Sequence, residues 1–262
     1  MNGTLRIWQR GLKSAVANRV AYRGDFFISL AVMLLFEAIT PLLTLLIYGL
    51  TDGIGFPGWS MYETLLIQAI FLLSRGISQP FFWGLVWTVH RQVREGVFEI
   101  TLLKPRSEIL VCMTMNIDIQ SFGRLAGGLA FFFYVLSKLP PVGAGGYLSF
   151  LLMFMFSMVM LFSLALIMAA TLFVWIGNSR LMELMDTLLE FAKYPGSIFS
   201  SVYQLLTSVI VPVGMIALFP ARALLGRPQP LLLVSMLAVF CFAAAALGFW
   251  KTMVKKYTGA GG

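Results

Sequence analysis

The sequence predicts an all-α integral membrane protein with six transmembrane helices, and three observations support this fold class. Of the 262 residues, 59% are hydrophobic and 11% are charged, whereas a soluble domain carries roughly 25% charged residues. The mean hydropathy is +0.88. Six crossings use about 120 residues, at about 20 apolar residues each. We therefore expect residues 1–262 to form a single transmembrane domain without a soluble domain of ordinary size.

The N-terminal region, residues 4–24, is predicted to form an interfacial helix. Leu5 and Trp8 fall on one helical face, and Arg6 and Arg10 fall on another. A helix with this pattern lies in the plane of the membrane interface. The apolar run that follows is longer than the apolar core of a signal peptide, so we expect a retained first span.

Six apolar runs separated by turn signals define the predicted spans. The turn Asp52–Gly58 ends the first run, and Pro140-Pro141 with Gly145-Gly146 precedes the fourth. The spans are predicted at about residues 26–50, 61–89, 113–137, 148–176, 195–219 and 229–250.

The third and fifth spans are the least regular of the six. The uncharged run 125–137 is too short to cross a core of ~30 Å, so the third span must include residues upstream of Arg124. The fifth span contains several serines and Pro212. Such a polar, interrupted segment is expected to be a broken or re-entrant helix that is buried against protein.

The distribution of Lys and Arg predicts that both termini are cytoplasmic. Basic residues concentrate near the N-terminus, in the 90–108 connection, in a short amphipathic helix predicted over 178–193, and at the C-terminus. The opposite side carries only Lys138, Arg222 and Arg227. This asymmetry is the positive-inside pattern. It explains the formal charge of +8 without nucleic-acid binding.

Catalytic and metal chemistry are not indicated by the sequence. His90 is the only histidine, which excludes histidine-based metal clusters and Ser/His triads. Cys112 and Cys241 have no neighbours with metal-ligand spacing. The segment Gly11–Ser14 lacks the spacing of a phosphate-binding loop. We expect no catalytic residue, metal or cofactor on this chain, so energy for uphill transport comes from another chain or from an ion gradient.

The 90–108 connection is the most highly charged connection in the chain and also contains apolar residues. Their spacing favours a short helix that buries one face and is closed by proline. It is either a membrane-surface helix that packs on its own protein or a coupling helix that inserts into a cytosolic partner. The candidate coupling residues are Arg91, Arg94, Glu95, Gly96, Phe98, Glu99, Leu102, Leu103, Lys104 and Pro105.

Beyond the first turn of each predicted span, four charged residues remain: Glu37, Arg75, Asp118 and Arg124. Glu37 and Arg75 lie at similar depths, which permits an ion pair. Asp118 and Arg124 are six positions apart, so each needs a partner on another helix, in another subunit or in water. These groups either pair inside the bundle or line a transport path, where the acidic groups would favour cationic substrates.

Two alternatives to a subunit powered by another chain remain open. A secondary transporter or channel driven by an ion gradient would use Glu37 and Asp118 as ion sites. A structural membrane subunit of a larger complex would need neither residue.

Gly123 and Gly127 have the spacing of two small residues that allows close helix contact in membranes. We expect a packing role for both, and the interface between two subunits is one candidate location.

Several of these motifs together resemble the type-2 ABC transporter permeases, in the branch of six-span subunits of about this length. The 90–108 connection carries a glycine, an acidic residue, a Leu-Leu pair and a basic-Pro step in the order found in that branch. The matching residues are Gly96, Glu99, Leu102-Leu103, Lys104-Pro105, Gly123-Arg124 with Gly127, Tyr194-Pro195, Val211-Pro212 and Pro220–Gly226.

The resemblance implies a permease subunit of an ATP-driven exporter in the bacterial plasma membrane. Such a subunit pairs with a second permease, identical or homologous, and with two copies of a cytosolic ABC ATPase that bind ATP and Mg. In that family the loop between spans two and three docks onto the ATPase, which corresponds to residues 90–106. Closure of the ATPases would rock the spans between inward- and outward-open states. The substrates implied are drugs, organic cations, lipids or lipid-linked molecules.

Overall fold

The computed structural model describes residues 23–119, 121–175, 179–227 and 231–257. These residues form an all-helical structure without strands, as the sequence predicts. Up to residue 22, the predicted interfacial helix 4–24 lies outside the described residues. The helices are α1 (Arg23–Leu50), α2 (Met61–Ser78), α3 (Gly84–Arg94), α4 (Glu99–Leu102), α5 (Glu108–Met115), α6 (Ser121–Leu136), α7 (Ala144–Thr171), α8 (Ser179–Phe191), α9 (Ser201–Leu205), α10 (Leu218–Leu224) and α11 (Leu232–Val254).

Four segments are long and apolar enough to cross a membrane: Phe26–Leu50, Met61–Arg94, Ala144–Thr171 and Leu232–Val254. They correspond to the predicted spans one, two, four and six. The second segment joins α2 and α3 through a π-helical turn at Gln79–Trp83. It has 34 residues and is therefore about 51 Å long, which exceeds a core of ~30 Å. One end of this rod lies beside the 51–60 connection, and the other end leads into the 90–108 connection.

The predicted third span is interrupted in the structure. α5 ends at Met115 and α6 begins at Ser121, so residues 113–137 are not one helix. Asn116 between them has φ −137° and ψ 62°. Its carbonyl oxygen lies against α3, where a Cβ on Gly84 would be only 2.6 Å away. This close approach, which depends on a residue distant in sequence, accompanies the break between the two helices.

The predicted fifth span, 195–219, consists of short pieces: 3₁₀ turns at Gly196–Ile198 and Val213–Ile216, α9, a π-helical turn at Leu206–Ile210, and the start of α10. Met215 and Ile216 lie in the second 3₁₀ turn. Ser157 of α7 donates to the carbonyl oxygen of Met215 (2.7 Å), and Ser74 of α2 donates to that of Ile216 (3.2 Å). Side chains of neighbouring helices thus satisfy backbone groups that a regular helix would satisfy itself.

The core forms where α2 packs along α6 and where α7 packs against α10 and α11. Glycines permit the first of these contacts, because a Cβ on Gly76 would lie 2.6 Å from the Cα of Leu125. In the most apolar part of the α2–α3 rod, 72% of the residues are buried, against 6% in α1. The rod is therefore central and α1 is peripheral.

The amphipathic helix predicted over 178–193 is present as α8, but its C-terminal end does not lie at the expected side. The Lys193 ammonium lies 5.3 Å from the centre of the Phe71 ring, which is about 15 Å along α2 from its first residue. The Tyr194 and Phe56 rings lie 6.2 Å apart, and Phe56 belongs to the 51–60 connection. α8 therefore runs alongside α2 towards the 51–60 end, so Lys193 does not belong to the cytoplasmic edge where the charge count placed it.

Candidate functional site

The predicted coupling region begins where α3 ends. The Glu95 N–H donates to the carbonyl oxygen of Arg91, and the Val97 N–H donates to that of Gln92, both at 2.9 Å. Between them, Gly96 has φ +69°. This left-handed conformation favours glycine, and any side chain there would be strained. Gly96 therefore sets the direction in which the chain leaves α3.

Phe98 attaches the connection to the rest of the protein. Its side chain is completely buried, and its ring centre lies 4.8 Å from that of Phe173 and 5.5 Å from that of Tyr257. Phe173 also contacts the Trp250 ring at 5.3 Å. We call Phe98, Phe173, Trp250 and Tyr257 the aromatic anchor. Although Phe98 was among the candidate coupling residues, its contacts are internal, so it positions the connection instead of forming its surface.

Two hydrogen bonds between helices further fix the connection. Thr101 in α4 donates to Oε1 of Gln92 in α3 at 2.8 Å. Trp250 in α11 donates from its indole nitrogen to Oε1 of Glu108 in α5 at 3.0 Å. Because the partners lie on different helices, the connection is held against α3 while α5 is held against α11.

The exposed side of the connection has an apolar centre. Leu103 is 84% exposed, Ile100 59% and Leu102 44%. The same connection carries five exposed charged residues, and exposed apolar residues next to charged ones are typical of a protein-binding surface. We call this group the coupling surface: Ile100, Leu102 and Leu103 with Arg91, Arg94, Glu95, Glu99 and Arg106. The sequence prediction omitted Ile100, although its spacing of three from Leu103 was visible.

Two of the remaining coupling candidates lie at the end of this surface. Pro105 is exposed, whereas Lys104 is half-buried with its ammonium 3.8 Å from Sδ of Met115. The Lys104 side chain is therefore directed towards α5.

Glu37 and Arg124 form an ion pair inside the bundle. Arg124 Nε lies 2.9 Å from Glu37 Oε1, and the side chains are 15% and 19% exposed. The Nε–H bond is not aligned with the carboxylate, so the contact is electrostatic and not a hydrogen bond from that nitrogen. Similar depths permitted an ion pair of Glu37 with Arg75, but Glu37 pairs with Arg124, because α6 lies next to α1.

Gly123 and Gly127 allow α1 to approach α6. A Cβ on Gly123 would lie 1.9 Å from a methyl carbon of Leu30, and one on Gly127 would lie 2.7 Å from a methyl carbon of Leu34. The expected packing role therefore lies within this chain, because α1 covers the helix face that was a candidate for a subunit interface. This packing brings together the helices that carry Glu37 and Arg124.

Arg75 lies near the middle of the α2–α3 rod and pairs with α8. Its guanidinium nitrogen lies 3.5 Å from Oδ1 of Asp186, and its Cζ lies 5.3 Å from the centre of the Trp83 ring. On α8, Glu190 also pairs with Lys193 at 2.6 Å. These pairs balance the charges of the cluster formed by Glu37, Arg75, Arg124, Asp186, Glu190 and Lys193. The cluster therefore offers no unpaired carboxylate for the cationic substrate that the sequence suggested.

Asp118 makes a local contact at the start of α6. Ser121, three residues later, donates to its Oδ2 at 2.7 Å. Asp118 therefore shares a hydrogen bond within its own segment, which its spacing from Arg124 did not reveal.

At the opposite end of the rod, the Tyr48 hydroxyl connects α1 to α2. It lies 2.8 Å from the carbonyl oxygen of Trp59 and 3.0 Å from the Thr64 hydroxyl. Gly55 packs on the Tyr48 ring, since a Cβ there would lie 2.2 Å from a ring carbon. No role was assigned to Tyr48 from the sequence.

Arg227 fixes the same end. It donates to the carbonyl oxygen of Gly58 at 2.6 Å and pairs with Glu63. Glu63 also forms a capping box with Ser60 at the start of α2. We call Tyr48, Glu63, Thr64 and Arg227 the polar clasp. The Ser60-x-x-Glu63 spacing is the sequence signal that could have located this end of α2.

Comparison with known proteins identifies the family. A family model described as ABC-2 family transporter protein matches residues 34–261. The matched range includes the coupling surface, the paired charges and the polar clasp. No curated protein and no solved structure matches the chain. A chain of this family is a membrane component of transport and is not itself catalytic. Because the match extends over most of its length, this chain belongs to the ABC-2 family of transporter proteins.

Proposed function

We propose that this protein is the permease subunit of an ATP-driven ABC exporter in the bacterial plasma membrane, coupled to two copies of a separate cytosolic ATPase. The coupling surface is the observation that carries this proposal. It presents Leu103, 84% exposed, on a turn attached to the bundle by the aromatic anchor. Family membership supports the transport role, and ATP with Mg is bound by the partner ATPase.

Six spans with both termini cytoplasmic fit the arrangement of the helices. In this topology α5 and α6 together form the third crossing. α8 has 13 residues and rises into the membrane beside α2, so the fifth crossing needs α8 together with residues that follow it. The following segment, 195–227, dips back towards the middle of the bundle, where Ser74 and Ser157 bind its backbone. The 90–108 connection then lies in the cytoplasm, in agreement with its high charge.

The proposed mechanism uses the connection as a rigid lever. When the ATPases close on ATP, they move Leu103, and Phe98 transmits the displacement to the ends of α7 and α11. The translocation path forms between this chain and a second permease, identical or homologous. α1 supports this arrangement, because only 6% of the residues in its most apolar part are buried against the rest of the chain. Its uncovered side is available to the second permease and to lipid.

Co-purification with ATPase activity tests the proposal. The wild-type chain, Leu103→Ser and the control Leu148→Ser are isolated from native membranes, and Mg-dependent ATP hydrolysis is measured per permease. Leu148 is a suitable control because it is 72% exposed and lies at the other end of the bundle. We expect Leu103→Ser to reduce the associated ATP hydrolysis at least about tenfold, as for an interface hot spot. Leu148→Ser should retain the wild-type rate.

Two results would contradict the assignments made above. Substrate movement that persists in vesicles without any ATPase, driven by a proton gradient, would contradict the proposal. Equal ATP hydrolysis with Leu103→Ser and with the wild-type chain would contradict the assignment of the coupling surface.

A further inference from the structure

A small cavity with both polar and apolar walls lies between the interrupted segment 201–210 and α10. Its volume is about 80 Å³, and it is lined by residues that include Gln204, Thr207, Ser208 and Arg222. Drug-sized ligands occupy pockets of roughly 300–1,000 Å³. The cavity therefore suits a single small polar group, such as a phosphate or a carboxylate.

Arg222 gives the cavity an uncompensated positive charge. Within the part of the chain that the structure describes, Arg75, Arg124 and Arg227 each have a carboxylate at salt-bridge distance, whereas Arg222 has none. Arg222 is half-buried, and its nearest recorded contact is the Trp59 ring, 5.9 Å from Cζ. Binding of an anion stabilises a half-buried guanidinium that has no other counter-charge. Arg222 therefore makes the cavity suitable for an anion.

Among the other polar groups of the cavity, Thr207 and Gln204 already donate hydrogen bonds to backbone carbonyl oxygens. The Thr207 hydroxyl donates to the carbonyl oxygen of Tyr203 at 2.9 Å, and the Gln204 amide donates to that of Phe199 at 3.0 Å. The backbone of Ser208 belongs to the π-helical turn, whereas its hydroxyl donates to no residue that the structure describes. The Ser208 hydroxyl and the guanidinium of Arg222 are thus donors for a ligand that has several acceptor oxygens.

The surface next to the cavity is apolar and exposed. Val202, Leu205, Leu206 and Ile210 are exposed on the same segment that provides Gln204, Thr207 and Ser208. In a membrane protein such side chains contact acyl chains. The cavity can hold the headgroup of one amphiphile while the acyl chains of the same molecule lie on this apolar surface.

We propose that this cavity binds the phosphate of an anionic amphiphile, with Arg222 and Ser208 donating to the phosphate oxygens and the acyl chains lying on the neighbouring apolar residues. The inference concerns the ligand and not the energy source, so it does not depend on coupling to an ATPase. It assigns to this site a negatively charged group, in contrast to the cationic substrate suggested by the sequence.

Calorimetric titration of the purified full-length chain tests this site. The probes are dihexanoyl phosphatidylglycerol and, separately, inorganic phosphate, and the variants are Arg222→Gln, Arg222→Lys, Ser208→Ala and the control Lys138→Gln. We expect Arg222→Gln to weaken phosphatidylglycerol binding at least about tenfold, the effect of losing a charge-assisted hydrogen bond. Ser208→Ala should weaken it about threefold, and Lys138→Gln, whose exposed cation lies outside the cavity, should leave it unchanged.

The two probes distinguish the source of the phosphate. Binding of phosphatidylglycerol alone supports a lipid, whereas inorganic phosphate binding that depends equally on Arg222 supports the anion site but assigns it to free phosphate. Unchanged affinity in Arg222→Gln, or an equal loss in Lys138→Gln, would overturn the proposal. If Arg222→Gln does not fold, Ser208→Ala decides, and unchanged phosphatidylglycerol affinity in that variant would also overturn it.

Discussion

The two ends of the α2–α3 rod differ in the kind of contact that predominates. At the 90–108 end, the aromatic anchor joins the connection to α7 and α11 through ring contacts of 4.8–5.5 Å between Phe98, Phe173, Trp250 and Tyr257. At the 51–60 end, the polar clasp joins α1, α2 and the segment after α10 through hydrogen bonds and an ion pair.

This difference indicates different mechanical roles for the two ends. Close-packed rings resist displacement, because separating them loses many small contacts at once. A hydrogen bond contributes only about 0.5–1.5 kcal/mol net, because water can replace the partner. The 90–108 end is therefore suited to transmit movement as a rigid unit, and the 51–60 end is suited to open and close.

Removal of the Phe98 ring should have the largest effect on stability. Phe98→Ala empties the centre of the aromatic anchor, and we expect a loss of about 3–5 kcal/mol. Thermal unfolding of the purified chain measures it, with Phe133→Ala, at an exposed position, as the matched control. Equal unfolding temperatures for the two variants would show that the anchor does not hold this end.

Disruption of the polar clasp should have a smaller effect. Glu63→Gln and Arg227→Gln should each lose about 1–3 kcal/mol, because each leaves a charged partner unpaired. A double-mutant cycle measures their coupling, which we expect to be about 0.5–3 kcal/mol. Strictly additive losses would contradict the ion pair between these residues.

Loss of a single hydrogen bond to the interrupted segment should lower the stability by less than disruption of the polar clasp. Ser157→Ala leaves the Met215 carbonyl oxygen without its serine donor, and we expect a loss of about 1 kcal/mol. Ser163→Ala is the control, since Ser163 is equally buried but bonds only to Val159 within its own helix. Both are compared by thermal unfolding, and an equal effect of the two changes would argue against support of the segment by α7.

Substitution on the coupling surface should have the smallest effect on stability. Leu103 is 84% exposed, so Leu103→Ser should change the free energy of unfolding by less than about 0.5 kcal/mol. Thermal unfolding measures this change. A large destabilisation would mean that Leu103 supports the fold of the chain and does not serve a partner.

Long apolar runs made most of the fold predictable. The spans predicted at 26–50 and 229–250 differ by only a few residues from the helices Arg23–Leu50 and Leu232–Val254, because Glu37 is the only charged residue within these two predicted runs. The break at Asn116 was not predictable from its own neighbourhood. It accompanies the close approach of Gly84, and this contact depends on the packing of α3 against α5.

The site was predictable where it depends on local sequence. Gly96, Glu99 and the Leu102-Leu103 pair stand out by their spacing, whereas the buried role of Phe98 depends on rings from α11 and from the segments after α7 and α11. The partners of Glu37 and Arg75 were not predictable for the same reason. Depth along a helix shows how far a charge is from the membrane surface but not which helix is its neighbour.

Photocrosslinking from Leu103 tests most directly whether the 90–108 connection couples this protein to an ATPase. A photoreactive amino acid is placed at Leu103 or at Ile54, an equally exposed position in the 51–60 connection, and the adducts are identified by mass spectrometry. We expect a covalent adduct with a cytosolic ABC ATPase from position 103 and none from position 54. Absence of an ATPase adduct from position 103, or equal adducts from both positions, would contradict the proposed coupling.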